Sequence, residues 1–558
     1  MPKPSVRLDM ARKKLFDVWA VVYLAIFVAY ALFLIYPMFT VLRNSVVGEN
    51  GSFSMEWFAK FFSTKYYSQT LIHSFNVTIA TTILSLIIGV PLAYFYNLYE
   101  LKGKMLIQVL IILCSMSAPF IGAYAWIQLL GRMGIVTVFF KNAFGITIPN
   151  IYGFNGIVLV LTLQLYPLVF LYVSGALKNI DNSLLEASDN LGCTGMARFF
   201  KVIIPLCMPT ILAAALLVFM RAFADFGTPL LIGEGYRVFP VEIYAQFLGE
   251  TGSNYSFAAA ISVIAIIITA VIFLIQKVLS NRFSFTMNAL HPIERKEAKG
   301  VKGFLMHLFT YAIVGLAFLP QLYIVYQSFQ NTSGKLFKPG YSLSSYKTAI
   351  QRLGESIPNT FVIGGIALVA VVFLGILIAY LVVRRSNIIT QTIDTMSMLP
   401  YIIPGSVVGI ALVMAFNSKP IVLTGTITIM VIALCIRRLP YTIRSSVAIL
   451  QQIPLTTEEA AISLGASKMK VFFTITVPMM SNGIISGAIL SWVTIITELS
   501  TSIILYNSRT VTLTVAVYTF VTRGNYGYAA ALATVLTALT TVSLLIFMKV
   551  SKSKEITF

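Results

Sequence analysis

Apolar runs recur from one end of the chain to the other, with short polar segments between them. A helix needs roughly 20 apolar residues to cross the hydrocarbon core of a bilayer, and the runs have about this length. The first set of predicted spans is 17–39, 71–96, 106–130, 156–174, 206–224 and 257–278. The second set is 304–327, 359–383, 393–416, 421–436, 482–506 and 528–549. The pattern predicts an all-α polytopic membrane protein with about 12 transmembrane helices.

The composition agrees with this fold class. Of the 558 residues, 58% are hydrophobic and only 11% are charged, and the mean hydropathy is +0.86. Such a chain is too apolar to be a soluble domain. Pro167 and Pro440 interrupt or end the fourth and tenth runs, so these are the spans that proline could break.

A polar segment between the fourth and fifth spans has the residues that begin and end a helix. Ser183 stands three residues before Glu186, which is the spacing of a capping box. Gly192 follows and is expected to end the helix, and Pro205 suits the first turn of the next apolar segment. The segment therefore predicts one short, capped helix just before a membrane span.

The same pattern of helix-starting and helix-ending residues occurs again 273 positions later, at Thr456, Glu459, Gly465 and Pro478. The register extends beyond the short helix, and the further matches are Tyr166-Pro167 with Leu439-Pro440, Leu177 with Leu450, Phe219 with Trp492, Asp225 with Glu498, and Thr228 with Thr501. The chain is therefore predicted to be a duplicated and fused six-helix unit.

The duplication divides the chain into two repeats and a linker. The first repeat is 1–280, with its short helix near 183–192, and the second is 304–558, with its short helix near 456–465. The polar segment 281–303 joins them. Because each repeat has an even number of spans, both are expected to have the same orientation in the membrane.

The formal net charge is +20, which raises the question of nucleic acid as a partner. Most of the basic residues lie in short loops at helix ends, where they orient spans and contact lipid headgroups, so no nucleic acid partner is predicted. With a cytoplasmic N-terminus, inner segments hold 26 Lys and Arg and outer segments hold 13. The positive-inside rule thus places both termini and both short helices in the cytoplasm, and the first span is a signal anchor.

No pattern for catalysis, metal binding or nucleotide binding is present. Four cysteines and three histidines are scattered without ligand spacing, so neither a disulfide framework nor a metal site is predicted. Gly103-Lys104 and Gly334-Lys335 lack the other residues of a phosphate loop. We expect no cofactor and no enzymatic activity in this chain, and any ATP must be hydrolysed by separate subunits.

The two short helices resemble the cytoplasmic signature of ATP-binding-cassette importer permeases, which is Glu-Ala-Ala, three residues, Gly, nine residues, Ile, one residue and Leu-Pro. The second copy holds Glu459, Ala460 and Gly465 in this spacing, with Val477 before the proline. The first copy, Glu186, Ala187 and Gly192, has Ser188 in place of the second Ala. Two copies at equal spacing, each before a span, are a specific signal.

This resemblance implies the type I importer permease fold and a mechanical role. In that family the signature forms the coupling helix, which lies in a groove of the ATPase subunit and transmits its closure to the spans. The implied partners are two ATP-binding-cassette ATPase subunits, one extracytoplasmic substrate-binding protein and membrane lipid. The implied location is the bacterial inner membrane, as a multi-pass protein.

Two further stretches, 221–233 and 497–506, look most like fused permeases for ferric iron. The resemblance implies ferric iron as the substrate, and close relatives in the family move aminoethylphosphonate, sugar phosphates, thiamine or polyamines. These substrates remain alternatives at this stage.

Asp225 and Glu498 occupy equivalent positions near the outer end of the fifth span of each repeat. One interpretation is a pair of acids at the mouth of the pathway, which would favour a cation or hold the binding protein. The alternative is an acid at the membrane interface that faces headgroups or pairs locally, for instance Asp225 with Arg221. We interpret Arg437-Arg438 as positive-inside anchors at the inner end of the tenth span.

Two other function classes are weighed. An ion-coupled secondary transporter also has twelve spans in two parallel repeats. However, the loop 97–104 lacks the Gly-Asp-Arg signature of that family, whereas the coupling signature occurs twice. A membrane enzyme that acts on lipid would need a cluster of catalytic residues, and the sequence suggests none. A neighbouring gene for an ATPase with a phosphate loop would decide between importer and secondary transporter.

Overall fold

The computed structural model describes residues 18–116, 118–249, 254–282, 291, 293–333 and 335–550. The helices of the first half are α1 Val18–Tyr30, α2 Tyr36–Ser45, α3 Glu56–Ser63, α4 Lys65–Leu98, α5 Lys104–Met116, α6 Pro119–Leu130, α7 Ile135–Phe144, α8 Phe154–Lys178, α9 Asn182–Asn190, α10 Gly195–Arg198, α11 Ile204–Phe223, α12 Gly227–Ile232, α13 Phe239–Leu248 and α14 Tyr255–Arg282. The predicted all-α polytopic architecture is confirmed.

The second half begins with α15 and repeats the same succession of long and short helices. Its helices are α15 Gly300–Ser328, α16 Ser344–Leu353, α17 Ser356–Arg384, α18 Ile388–Ile402, α19 Gly405–Phe416, α20 Ile427–Gln452, α21 Leu455–Ser463, α22 Lys468–Val471, α23 Val477–Met479, α24 Ser481–Ile496, α25 Ser502–Leu505, α26 Leu513–Thr522 and α27 Tyr526–Val550. One-turn π-helices at Ala31–Ile35, Phe199–Ile203 and Phe472–Thr476 continue their neighbouring α-helices.

Two small sheets complete the described secondary structure. Strands β1 (Tyr99–Glu100) and β2 (Lys296–Glu297) pair in parallel, and the register places Tyr99 opposite Lys296. Strands β3 (Gln330–Ser333) and β4 (Leu336–Tyr341) pair antiparallel. The first sheet joins the loop after α4 to the predicted linker.

The helices that could cross a membrane are fewer than the twelve predicted spans. Among the described residues, nine helices are long and apolar enough, and eleven if each of two bent pairs counts as one span. Helices α18 and α19 form the first bent pair, with an angle of 113° at Ile403-Pro404, because Pro404 cannot continue the hydrogen-bonding of α18. The ninth predicted span, 393–416, is therefore not a single helix.

Proline does not break the helix in the fourth and tenth predicted spans. Pro167 lies inside α8 and Pro440 lies inside α20, and each helix continues past its proline for at least ten residues. The tertiary packing therefore outweighs the local cost of proline at both positions. The tenth prediction, 421–436, ended too early, since α20 runs to Gln452.

The described chain forms two compact units, and their boundaries cross the predicted repeat boundaries. The described residues of unit 1 fall within Met1–Phe53, Leu353–Val515 and Val542–Ser553. Those of unit 2 fall within Ser54–Arg352 and Ala516–Thr541. The first helix of the chain thus belongs with the core of the second repeat, and α15 belongs with the core of the first.

Unit 1 is built around α20, against which α17 and α24 pack closely. Gly375 of α17 makes this approach possible, since a Cβ at that position would lie 2.7 Å from Thr442 Cγ2. The first helix joins this core through Trp19, whose ring lies 4.6 Å from Tyr380 and 5.1 Å from Phe472, centroid to centroid. Small residues at helix crossings and aromatic packing hold the unit together.

Unit 2 repeats this geometry around α8. A Cβ at Gly89 of α4 would lie 2.6 Å from Val169 Cβ, at the crossing that corresponds to Gly375 and Thr442. The backbone N–H of Phe239 donates to Ser74 Oγ over 2.7 Å. In unit 1 the N–H of Leu513 donates likewise to Thr360 Oγ1 over 2.8 Å.

We expect Gly375→Leu to destabilise unit 1 strongly. The new side chain would overlap Thr442, and overpacking of a tight contact costs about 1–3 kcal/mol or more. Gly365→Leu is the matched control, because no atom lies within 4 Å of its added Cβ on the same helix. The measurement is the melting temperature of the purified protein in detergent. Equal melting temperatures for the two variants would contradict the packing described here.

Candidate coupling helices and membrane-embedded charges

The first signature helix is α9, and its cap differs from the prediction. The N-cap is Asp181, whose Oδ1 accepts the N–H of Ser183 over 3.0 Å. Glu186 accepts instead from Asn182 Nδ2 over 2.7 Å. The predicted capping box of Ser183 and Glu186 is therefore wrong, because a better carboxylate acceptor precedes Ser183 and starts the helix earlier.

The second signature helix is α21, and it also begins earlier than Thr456. Its N-cap is Pro454, with an extended backbone and no side-chain cap bond. The predicted capping box of Thr456 and Glu459 is therefore wrong as well. Near the start of helix α21, the side chain of Glu458 is only 6% exposed. Its carboxylate accepts a hydrogen bond from Arg384 Nε over 2.9 Å.

Both helices end as the sequence predicts, at a glycine in the left-handed region. Gly192 has φ +75° and Gly465 has φ +89°. The bonds that close the ends also correspond, since Cys193 N–H donates to Ser188 O over 2.8 Å and Ala466 N–H donates to Ala461 O over 3.1 Å. This is the Schellman arrangement, in which a side chain would be strained.

The helices lead directly into the next membrane segments. A one-turn π-helix follows each of them, at Phe199–Ile203 and Phe472–Thr476, in the 273-residue register. Pro205 and Pro478 then occupy the first turns of α11 and α23, as predicted. In the first half the helix that follows is unbroken from Gly195 to Phe223, whereas in the second half it bends by 71° between Met479 and Ser481.

Each helix is also fixed by an ion pair. In the second half, Arg384 at the end of α17 pairs with Glu458 of α21, and it also donates over 2.7 Å to the carbonyl of Ile453 at the end of α20. In the first half, Asp189 of α9 pairs with Arg198 over 2.7 Å, and Arg198 is buried. Lys296 of the linker reaches Asp189 over 3.1 Å. The sequence analysis missed these pairs, because only the fold brings their members together.

The lysine and arginine contacts keep Asp189 charged. The hydrogen bond from Lys296, together with the charges of Arg198 and Lys296, holds the pKa of Asp189 below its ordinary value, although desolvation opposes this shift. Because the pKa is lowered in the folded protein, the contribution of this carboxylate is present above its ordinary pKa. It is lost only as the pH falls through the lowered pKa, in the acid range.

Glu498, the acid of the second repeat, lies in a buried cluster of charges. Arg437 and Arg438 of α20 both donate to its carboxylate, and their side chains are 14% and 12% exposed. Arg437 Nη1 also donates to Thr501 Oγ1, which in turn donates to Gly405 O over 3.0 Å. The interpretation of Arg437-Arg438 as anchors at the membrane surface is therefore wrong. Both side chains are drawn inward by a buried carboxylate, which the sequence alone could not place beside them.

Asp225 is the acid of the first repeat. It makes one backbone contact that is equivalent to a contact of Glu498 in the second repeat. Its Oδ1 accepts the N–H of Thr228 over 3.0 Å, and Glu498 Oε1 accepts the N–H of Thr501 over 3.0 Å. Each acid thus accepts a backbone N–H at the start of a short helix, α12 or α25, that follows a longer helix. Whether the two acids belong to the substrate pathway stays a prediction.

The comparison with known proteins identifies the family. The family of binding-protein-dependent transport system inner membrane components matches residues 85–285 and again 371–554. The chain belongs to this family. It is a multi-pass permease component of the inner membrane, and the duplication read from the sequence corresponds to two copies of the family domain.

Among its relatives are proteins named as ferric transport system permeases. FbpB 1 of Haemophilus influenzae is 29% identical over 490 residues, which cover 86% of this chain and 76% of that protein. FbpB of Actinobacillus pleuropneumoniae is 28% identical over 530 residues, which cover 92% of this chain and 76% of that protein. A bacterial importer of the acidic polysaccharide alginate aligns with half of the chain at a TM-score of 0.40 and 20% identity.

The exposed side chains of α9 and α21 show what the permease offers to a partner. The six predicted coupling residues are all exposed: Glu186, Ala187, Gly192, Glu459, Ala460 and Gly465. Beside them, Leu191 is 85% exposed and Leu464 is 89% exposed, at equivalent positions. A large apolar side chain is therefore exposed at the end of each signature helix. The sequence analysis had not selected these two leucines.

We expect Gly465→Glu to damage transport more than expression. The left-handed backbone costs a side chain about 1–2 kcal/mol, and relaxing it would shift the surface beside Leu464. Gly465→Asn is the matched control, because asparagine tolerates this conformation. Transport and ATP hydrolysis are measured in proteoliposomes. Wild-type rates for Gly465→Glu, and for the same change at Gly192, would refute a coupling role.

We expect Glu498→Gln to destabilise the protein more than Arg438→Gln. The first change leaves two largely buried guanidiniums without a counter-charge, and breaking such a pair costs about 3–5 kcal/mol. The second change leaves Arg437 and Glu498 as a balanced pair. The measurement is the melting temperature in detergent, and a larger loss for Arg438→Gln would show that Glu498 is not the centre of the cluster.

Proposed function

We propose that this permease imports ferric iron, delivered by an extracytoplasmic binding protein and driven by two ATP-binding-cassette ATPase subunits. The observation that carries the proposal is the pair of matching signature helices, α9 and α21, each ending at a left-handed glycine and each exposing a leucine. The substrate is supported by relatives that are named for ferric transport over most of the chain.

In this proposal each ATPase subunit seats on one signature helix. The exposed Glu186, Ala187 and Gly192 contact the first subunit, and Glu459, Ala460 and Gly465 contact the second, with Leu191 and Leu464 inserted as apolar anchors. When the ATPases close on ATP, the helices move with them. The π-helical turns and the following spans carry that movement into the membrane, with both termini on the cytoplasmic side.

The pathway itself is proposed to use the acid of the first repeat more readily than that of the second. Ferric iron is a hard cation that prefers oxygen ligands. Asp225 has its Oδ1 on the Thr228 amide, whereas both oxygens of Glu498 are taken by Arg437 and Arg438. Glu498 would have to release an arginine before it could bind a passing cation.

One observation favours a second candidate. The cluster of Glu498, Arg437 and Arg438 carries two positive charges and one negative charge, so it attracts an anion and repels a bare cation. An oxyanion substrate, such as aminoethylphosphonate or a sugar phosphate, would fit that field. This candidate shares the importer mechanism and differs only in cargo.

The test is reconstitution of the permease with its ATPase and binding protein in proteoliposomes. We expect uptake of radioactive iron from the loaded binding protein, dependent on ATP and absent from vesicles that hold the permease alone. Uptake by the permease alone under an ion gradient would favour the secondary transporter. A binding protein that holds an organic phosphonate and ignores ferric iron would favour the oxyanion candidate.

A separate test addresses Asp225. Asp225→Asn removes the charge but keeps an oxygen that can accept the Thr228 amide, whereas Asp225→Ala removes both. If the charge helps a cation to pass, both variants should lower iron uptake several-fold, by analogy with other intramembrane acids. If the side chain only caps α12, Asp225→Asn should transport at the wild-type rate and Asp225→Ala should not.

A further inference from the structure

The two signature helices are tied to the rest of their halves by different means. In the second half, Glu458 of α21 and Arg384 at the end of α17 form a direct ion pair. Helices α4 and α17 correspond at an offset of 286, as Ala93-Tyr94 and Ala379-Tyr380 show. The repeat equivalents of Arg384 and Glu458 are therefore Leu98 and Leu185, and both leucines are buried. The first half therefore has no charged pair at this position, and the end of α4 cannot hold α9 in the same way.

The ion pair of the first half is placed elsewhere. Asp189 lies near the C-terminal end of α9 and pairs with Arg198 of α10. The repeat equivalents in the second half are Ile462 and Val471, which cannot form an ion pair. The two ion pairs thus lie at different ends of the short helices, with Glu458 near the start of α21 and Asp189 near the end of α9. The anchor of the first half reaches only to the next turn of chain and not to a spanning helix.

The linker supplies contacts along the whole of α9. At the N-terminal end, Asn182 N–H donates to His291 O over 3.0 Å, and His291 N–H donates to Asp181 Oδ2 over 3.1 Å. The N–H of Glu294 lies 3.4 Å from Asn182 Oδ1. At the C-terminal end, Lys296 Nζ lies 3.1 Å from Asp189 Oδ2.

The same linker residues also hold the end of α4. Strand β2, Lys296–Glu297, pairs in parallel with β1, Tyr99–Glu100, which begins at the residue after α4. Lys296 is therefore bonded through its backbone to the end of one spanning helix and through its side chain to α9. The linker bridges the two elements that Arg384 and Glu458 join directly in the second half.

We propose that linker residues 291 and 293–297 position the first coupling helix and replace the membrane-helix anchor that the second coupling helix has in Arg384. The linker is then part of the coupling machinery, not only a connection between repeats. This inference rests on the proposed function, because it assumes that α9 transmits the movement of an ATPase. Lys296 acts as a positioning residue, since it acts through Asp189 and need not touch the substrate or ATP.

The first test measures how much substrate is moved for each ATP hydrolysed. In proteoliposomes with ATPase and iron-loaded binding protein, Lys296→Ala should lower this ratio about two- to fivefold, the factor expected from one lost exposed ion pair. ATP hydrolysis itself should continue, and Lys296→Arg should restore the ratio. Lys299→Ala is the matched control, because Lys299 pairs within the linker, with Glu297.

The second test transplants the anchor of the second half. In the Lys296→Ala background, the double change Leu98→Arg with Leu185→Glu recreates the pair of Arg384 and Glu458 in the first half. Recovery of the transport ratio would support the proposal. A folded, monodisperse variant that shows no recovery would overturn it.

A third test does not depend on that variant folding. Asn182→Cys with Glu294→Cys allows a disulfide between α9 and the linker, at a place where they are in contact. We expect the oxidised protein to keep its transport ratio, because the linker stays on α9. Loss of transport that a reductant restores would overturn the proposal, as would a wild-type ratio in Lys296→Ala. Failure of the proposed function would look different, since the wild-type protein would then show no ATP-driven uptake at all.

Discussion

Every backbone N–H and C=O inside a membrane needs a partner within the protein, and this constraint explains where the polar side chains of the chain lie. At several helix starts a polar side chain accepts an N–H that has no partner within its own helix. Asp225 and Glu498 accept from Thr228 and Thr501. Ser74 does the same for Phe239. These polar side chains therefore satisfy backbone donors near the starts of the helices.

A second requirement is that helices pass close to each other without a hydrophobic drive between them. Gly89 and Gly375 meet it in the same way, at equivalent crossings of the two units. Their neighbours have diverged, from Val169 to Thr442, while the space for the crossing has not. At this crossing the glycine is common to both units although the residue that it faces differs.

The sequence predicted those parts of the molecule that local physics decides. The apolar runs predicted most spans, and Gly192 and Gly465 were correctly expected to be left-handed because only the backbone of the turn matters there. The capping boxes were wrong, since Asp181 outcompeted Ser183. The pairing of Arg384 with Glu458, separated by 74 positions, could not be read from either residue. A charged residue in an apolar sequence predicts that the fold supplies a partner, but the sequence does not identify which residue that partner is.

The divergence of the charged anchors follows from the same rule. A buried arginine or carboxylate alone is strongly unfavourable, so a pair can be gained or lost only as a unit, with leucines as the neutral replacement. Leu98 with Leu185 is such a replacement, whereas Leu98 with a glutamate would not have been tolerated. A fused chain relaxes this restriction for the first half, because the linker that fusion created lies beside α9 and can supply Lys296 from the solvent side. An exposed lysine costs little when its partner is absent, so the contact of Lys296 with Asp189 does not carry the penalty that a buried ion pair would.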